Sequence, residues 1–336
     1  MAWDAEAVRS ALGLGAEHAD WLAALEAVGP APEPLRLPSP DDAYALLREL
    51  TVDEADAREV ADTLPNPEAD PALWWLLERS HHLMVRHLGD FEAELRWPAL
   101  PGALGARSRL FLVYLFLATY EDAARWHRDH GVDPAASRGT FQSLGRAMRI
   151  HRSLHGTAGV FEPSWMTLPF RACLFELGRL QYTPFRLTPE GRLDAALLAR
   201  LGPDLAPGQP TVGIHIPASG PLWPEAVDAS LAWARELFSQ PEPWGPCRVA
   251  FCGSWLLDEQ WAEYLPAEAN ILRFQRRFHM LPGAHDADGS MFSHVFRLPR
   301  TDDWDRLPQR TTLERAIVAH WRKGRHWRSR TGWLYL

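Results

Sequence analysis

The sequence predicts an α+β chain: a helical N-terminal domain over residues 1–158, then a mixed α/β domain built on a central sheet over residues 159–336. Three observations predict it. Before about residue 160, apolar side chains recur at helical spacing and no strand pattern intervenes. After it, short β-rich runs such as TVGIHI (211–216) and CRVAFC (247–252) alternate with helical stretches, the mark of a layered α/β arrangement. Between the two regimes Gly156, Gly159 and Pro163 interrupt the pattern.

The helices follow in order. Trp21, Leu22, Leu25 and Val28 share one period, ended by the proline-rich stretch 30–40. Asp41 or Asp42 is the expected cap of a helix carrying Tyr44, Leu46, Leu47 and Leu50. Residues 73–88 are apolar at helical spacing, and residues 107–130 form a long helix closed by Gly131. Asp133-Pro134 opens another that runs to His155. Past the boundary, 173–187 reads as an extended segment with a bulge at Gly178, 211–216 as a strand, 224–238 as a helix and 247–252 as a strand. Residues 258–264 read as helical, 271–281 and 291–298 alternate like strands, and Thr311 with Glu314 forms a capping box for a helix to 321. The basic segment WRKGRHWRSR (321–330) reads as a solvated turn.

Composition excludes several functions. The net charge of −8 argues against a nucleic-acid partner. No basic start with an apolar run suggests a secretory signal, and the most apolar stretch, 110–118, is far short of the roughly 20 residues that span a bilayer. Three cysteines, Cys173, Cys247 and Cys252, fit a reducing, cytoplasmic setting with buried thiols. His127/His130 and His151/His155 have spacings that put two rings on one helix face, but no HExxH or third ligand accompanies them, so no metal is expected. Trp74, Trp233 and Trp261 fall at apolar positions of helices, where core packing explains them.

The chemistry concentrates in TVGIHIPASGPLWPEAVDASLAWARELF (211–238). A strand ends at Pro217, a small-residue loop turns at Ser219-Gly220, and a helix opens near Pro224. Free N–H groups and the positive end of a helix suit an anion. His215, on the strand face shared with Gly213, is a candidate general base. Glu176 is a second candidate base or an anchor for an amine, with a structural ion pair to Arg179 as the bland alternative. Cys252, Ser254 and Trp255 stand at a strand end, where α/β sheets place ligands.

LFELGRLQYTPFRL (174–187), VGIHIPASGPL (212–222), FCGSWLLDEQWAEYLP (251–266), ANILRFQRRFHM (269–280) and LPQRTTLERAI (307–317) resemble, in order and spacing, a family of bacterial GNAT-like acyltransferases. In these a helical N-acyltransferase N-terminal domain precedes a GNAT-like C-terminal domain. The resemblance implies that acyl-CoA, a cosubstrate rather than a resident cofactor, lies between two splayed central strands. A small-molecule or peptide acceptor would attack the thioester through an amine or hydroxyl, helped by a general base. TVGIHIP and CRVAFC would be the splayed strands. Ile216, Ala218, Ser219, Gly220 and Leu222 would contact the cosubstrate. His215 or Glu176 would be the base, and Ser254 or Tyr264 would stand near the leaving thiolate. The loop PASGPL departs from the family's Gln/Arg-x-x-Gly-x-Gly/Ala signature in having one glycine, and Glu225 and Asp228 oppose a polyanion unless arginines offset them. Two other readings remain: a non-catalytic GNAT-like binding or interaction module, and a hydrolase using Cys252 or Ser254.

Overall fold

The computed structural model of the chain describes residues 3–188, 198 and 202–336, which fall into two compact units, Met1–Phe175 and Glu176–Leu336. The first is helical: α1 (Ala5–Leu12), α2 (Ala19–Val28), α3 (Pro40–Glu49), α4 (Glu54–Asp62), α5 (Pro71–Arg86), α6 (Ala106–Asp129), α7 (Pro134–His155) and α8 (Pro163–Phe170). It extends past the glycines at 156 and 159 because α8 packs against α6 and α7, stacking Phe170 on Phe116 at 4.4 Å. Local chemistry fixes the helix ends. Asp133 accepts from the amides of Ala135 and Ala136 to start α7, Pro134 supplies the first-turn φ, and Gly156 closes it at φ +72°. At α3 the cap is Ser39, not Asp41 or Asp42: its hydroxyl accepts from Asp42 N at 3.2 Å, which puts the helix start at Pro40, two or three residues upstream. No helix among the described residues is long and apolar enough to cross a membrane.

The second unit is built on strands β1 (Phe175–Leu177), β2 (Leu180–Arg186), β3 (Pro210–His215), β4 (Val249–Ser254), β5 (His279–Met280), β6 (His285–Asp286) and β7 (Arg328–Tyr335). The order is β1-β2-β3-β4-β7-β5, with β6 also on β7. β3 and β4 form a parallel pair within an otherwise antiparallel set of described registers. Helix α9 (Pro224–Phe238) makes the crossover between them. Its buried Ser230 binds the β1–β2 turn from both sides, donating to Leu177 O at 2.5 Å and accepting from Leu180 N at 3.2 Å.

Four expectations are corrected here. Gly178 is not a bulge: with Arg179 it makes the turn of a β1–β2 hairpin, at φ +72°. Residues 271–281 are not one strand but helix α10 (Asn270–Gln275) followed by the two residues of β5: Leu272, Phe274, Phe278 and Met280 fit alternation, but Ile271, Phe274 and Phe278 also fit helical spacing. Residues 291–298 lie in a helical turn (Asp288–Met291) that widens into a π-turn (Phe292–Phe296), where Phe292 and Phe296 both pack on Trp321 of helix α11 (Thr312–Arg322). The basic tail does not end in a solvated turn: Arg328–Tyr335 pairs with β4 along six residues, from Val249↔Tyr335 to Ser254↔Arg330. Two of its arginines are neutralised, Arg325 by Glu263 and Arg330 by Glu259.

Candidate functional site

β3 and β4 are paired at Val212↔Ala250 and Gly213↔Phe251. Past those pairs β3 continues through Ile214 to His215 and β4 through Cys252 and Gly253 to Ser254, so the two parallel strands end on the same side of the sheet. Period-two alternation puts Gln181, Thr183, Gly213, His215 and Gly253 on one face. At one end of that face Phe185, Val249, Phe251 and Trp333 gather with Leu187, Leu198, Leu205 and Leu281 into an apolar cluster. At the other end it is polar. Thr183 Oγ1 lies 2.8 Å from His215 Nε2, and Gln181 Nε2 donates to Glu176 Oε2 at 2.7 Å. Gln181 also pairs with His215 across the ladder, so the hairpin and the strand register bring Glu176 and His215 into one cluster. Gly213 leaves room for this contact, because a Cβ would come within 2.8 Å of Thr183 Oγ1 and 3.1 Å of His215 Nε2.

Burial pushes the His215 imidazole down to about 4 from its usual 6.5, so it is neutral and able to accept a proton throughout the physiological range. Desolvation has the opposite effect on the thiols. Cys252 is pushed up to about 12 and Cys247 to about 12, which leaves both protonated and unreactive. That removes the thiolate a Cys252 nucleophile would need.

The loop from Ile216 to Leu222 is held by an arginine. Arg179 Nε donates to Pro221 O at 3.0 Å, Nη1 to Pro217 O at 3.1 Å and Nη2 to Gly220 O at 2.6 Å. A trans peptide sets a carbonyl and the next N–H on opposite sides. Turning the Pro217 and Pro221 carbonyls towards Arg179 therefore turns the Ala218 and Leu222 amides away from it. Ser219 N is spent on Pro217 O at 2.8 Å, whereas the amides of Ala218, Gly220 and Leu222 donate to no group among the described residues. Gly220 reaches its φ of +137° without strain because it lacks a side chain. Helix α9 starts immediately beyond, with no side-chain cap over its first amides. Free amides ahead of an uncapped helix start, beside the positive end of its dipole, are an arrangement that suits an anion without a glycine-rich loop, and Arg179 holds the loop from its other side. Of the two acidic residues, Asp228 is offset: Arg277 pairs with it and donates to Pro224 O at 3.4 Å.

The remaining sequence candidates lie elsewhere. Ser254 ends β4 on the opposite face from Gly253, and its hydroxyl caps the 3-10 turn Trp255–Leu257 by accepting from Leu256 N at 3.1 Å. The Tyr264 hydroxyl is 3.0 Å from His320 Nδ1, its ring packs on Trp327, and Lys323 lies over its face. Among the histidine pairs, His127 bonds Ser137 Oγ at 2.9 Å inside the helical unit and His151 bonds Thr157 O at 3.0 Å. Asp286, Asp288 and His326 come close enough to hold a metal ion. Asp288, however, serves the fold, accepting from Trp321 Nε1 at 2.7 Å and Trp327 N at 3.0 Å and contacting His326 Nδ1 at 2.7 Å.

The sequence reading missed Arg179 as the loop's anchor and Thr183 as the partner of His215. Proline on either side of Ser219-Gly220 was the available signal for the first: prolines leave carbonyls without competing amides, and such carbonyls need a donor. Nothing local signals the second.

The chain matches two family models, an N-acyltransferase N-terminal domain over residues 41–172 and a GNAT-like C-terminal domain over residues 174–334. It is also similar along its length to solved structures. An acyltransferase in complex with decanoyl-CoA is 41% identical over 99% of this chain and 100% of its own, with a TM-score of 0.88. An acyltransferase in complex with decanoyl-CoA and teicoplanin is 42% identical over the same shares, with a TM-score of 0.87. One in complex with CoA and 10C-teicoplanin is 41% identical over the same shares, also at 0.87. No curated protein matches the chain.

Proposed function

This chain belongs to the acyltransferases that join an N-acyltransferase N-terminal domain to a GNAT-like C-terminal domain, its acyl donor is acyl-CoA, and we propose that it transfers a medium-length acyl group to a glycopeptide. The observation that carries this reading is the 42% identity, over 99% of the chain, to an acyltransferase in complex with decanoyl-CoA and teicoplanin. Acyl-CoA is consumed as a cosubstrate.

In this reading the CoA diphosphate meets the amides of Ala218, Gly220 and Leu222 and the start of α9, in a loop shaped by Arg179. Ile216 and Ser219 line the same loop. The pantetheine arm runs along the adjacent ends of β3 and β4. The acceptor's amine or hydroxyl attacks the thioester carbonyl directly. A C–N or C–O bond forms, the C–S bond breaks, and CoA leaves as its thiol with the proton the acceptor gives up. His215 takes that proton from the acceptor and returns it to the departing thiolate, since its imidazole is already neutral and Thr183 fixes its Nε2. Glu176, joined to the same cluster through Gln181, orients the attacking group. The compartment we assign is the cytoplasm, where acyl-CoA is made and where Cys173, Cys247 and Cys252 stay as free thiols.

The test is mass spectrometry of a teicoplanin-type glycopeptide lacking its acyl chain, incubated with decanoyl-CoA and the protein. A gain equal to one decanoyl group supports the assignment. An unmodified glycopeptide, with acyl transfer to simpler amines intact, removes the glycopeptide and leaves the transferase.

A further inference from the structure

Trp223 is the most exposed large apolar side chain among the described residues, at 57% of its surface. It is not on a loose segment. Leu222 before it is buried, Pro221 and Pro224 flank the pair, and the Trp223 carbonyl accepts the first bond of α9 from Val227 N at 3.0 Å. Its backbone, at φ −56° and ψ 130°, has the extended geometry that a following proline imposes. Arg179 fixes the carbonyl of Pro221 two residues upstream. The fold therefore spends rigid backbone on presenting an indole to solvent, directly after the Leu222 amide and directly before the uncapped helix start.

Resting on the acyl-CoA reading of this loop, we propose that Trp223 is a stacking platform for the adenine of CoA. The chemistry of the ligand fits the order of the residues. With the diphosphate on the amides of 218, 220 and 222 and the pantetheine directed towards the ends of β3 and β4, the adenosine half runs outwards past the loop, one ribose from the diphosphate. An aromatic base there needs a flat apolar surface in water, and a fixed indole supplies one. Base–aromatic stacking is sequence-tolerant and loses only the aromatic contribution when the ring is removed. The residue thus sets preference for the nucleotide end of the donor rather than for its acyl end.

The experiment compares decanoyl-CoA with decanoyl-pantetheine, which carries the same thioester without the nucleotide. Steady-state kinetics and calorimetric binding are measured on the wild-type chain, Trp223→Ala and Trp223→Tyr. Trp223→Ala is expected to raise KM and Kd for decanoyl-CoA by about 5- to 100-fold. It should leave kcat, and every constant for decanoyl-pantetheine, within about twofold of wild type. Trp223→Tyr is expected to recover most of the loss. Equal losses with both donors, or none with decanoyl-CoA, would overturn the assignment. Failure of the wild-type chain to acylate any acceptor would count against the proposed function instead, while the binding contrast between the two donors would still decide for or against Trp223.

Discussion

Arg179 and Gly220 are joined by a 2.6 Å hydrogen bond from guanidinium to carbonyl, and this bond, with the arginine's two others, shapes the loop between β3 and α9. Charge-assisted bonds of this kind contribute about 1.5–3 kcal/mol each. They stand where a glycine-rich loop would otherwise let the backbone curl round a diphosphate unaided. Replacing Arg179 by alanine should free the carbonyls of Pro217, Gly220 and Pro221 and misaim the amides beside them. KM for acyl-CoA should rise by about tenfold or more while kcat changes little, because uniform binding is lost. Initial-rate kinetics over a range of decanoyl-CoA concentrations checks this.

Gly213→Ala is expected to lower kcat with little loss of stability. The added methyl would press on Thr183 Oγ1 and His215 Nε2, which are side-chain atoms that can swing aside, so the fold survives and the His215 geometry does not. Rate measurements paired with a thermal melt separate the two effects.

The two candidate bases give opposite patterns. His215→Ala should reduce turnover by about 10²–10⁴, and Glu176→Gln, which keeps a partner for Gln181, by about tenfold or less. With His215 pushed down to about 4, kcat/KM should hold level from neutral pH down and fall only as the pH nears that value. The reverse ranking of the two variants would give the proton to Glu176.

His127 makes stability depend on pH. Burial in the helical unit, against Phe141 and Phe175, lowers it to about 4 from 6.5. The folded value lies below the unfolded one, so the unfolded chain binds the proton first as pH falls. The stabilisation is complete above pH 6.5 and is lost progressively as pH falls towards 4, about 3 kcal/mol in all. Urea titrations at a series of pH values should show that slope, and a His127→Phe variant should flatten it.

How much of this was legible in the sequence follows from the range of the interactions. Helix α7 was readable to the residue because Asp133, Pro134 and Gly156 act within one turn of the ends they fix. The strands β3 and β4 were readable from their β-rich runs and flanking prolines, and the loop between β3 and α9 from its Ser-Gly turn. Strand β7 was not, because Arg330 within it and Arg325 just before it are satisfied by Glu259 and Glu263, far back in the sequence, and a charge run read alone looks solvated. The Thr183–His215 contact spans 32 residues and exists only through the β2–β3 register, while Arg179 reaches carbonyls 38–42 residues away. Glu176 and His215 were named from residue type and position; their meeting needed the hairpin turn at Gly178.

The measurement that bears most directly on the whole account is CoA release from decanoyl-CoA, followed with a thiol reagent in the presence and absence of a glycopeptide acceptor. Direct attack by the acceptor predicts release only when acceptor is present, one CoA for each acyl group transferred. Equal release without acceptor would make the protein a thioesterase, and no release under either condition would contradict the assignment as an acyl-CoA-dependent transferase.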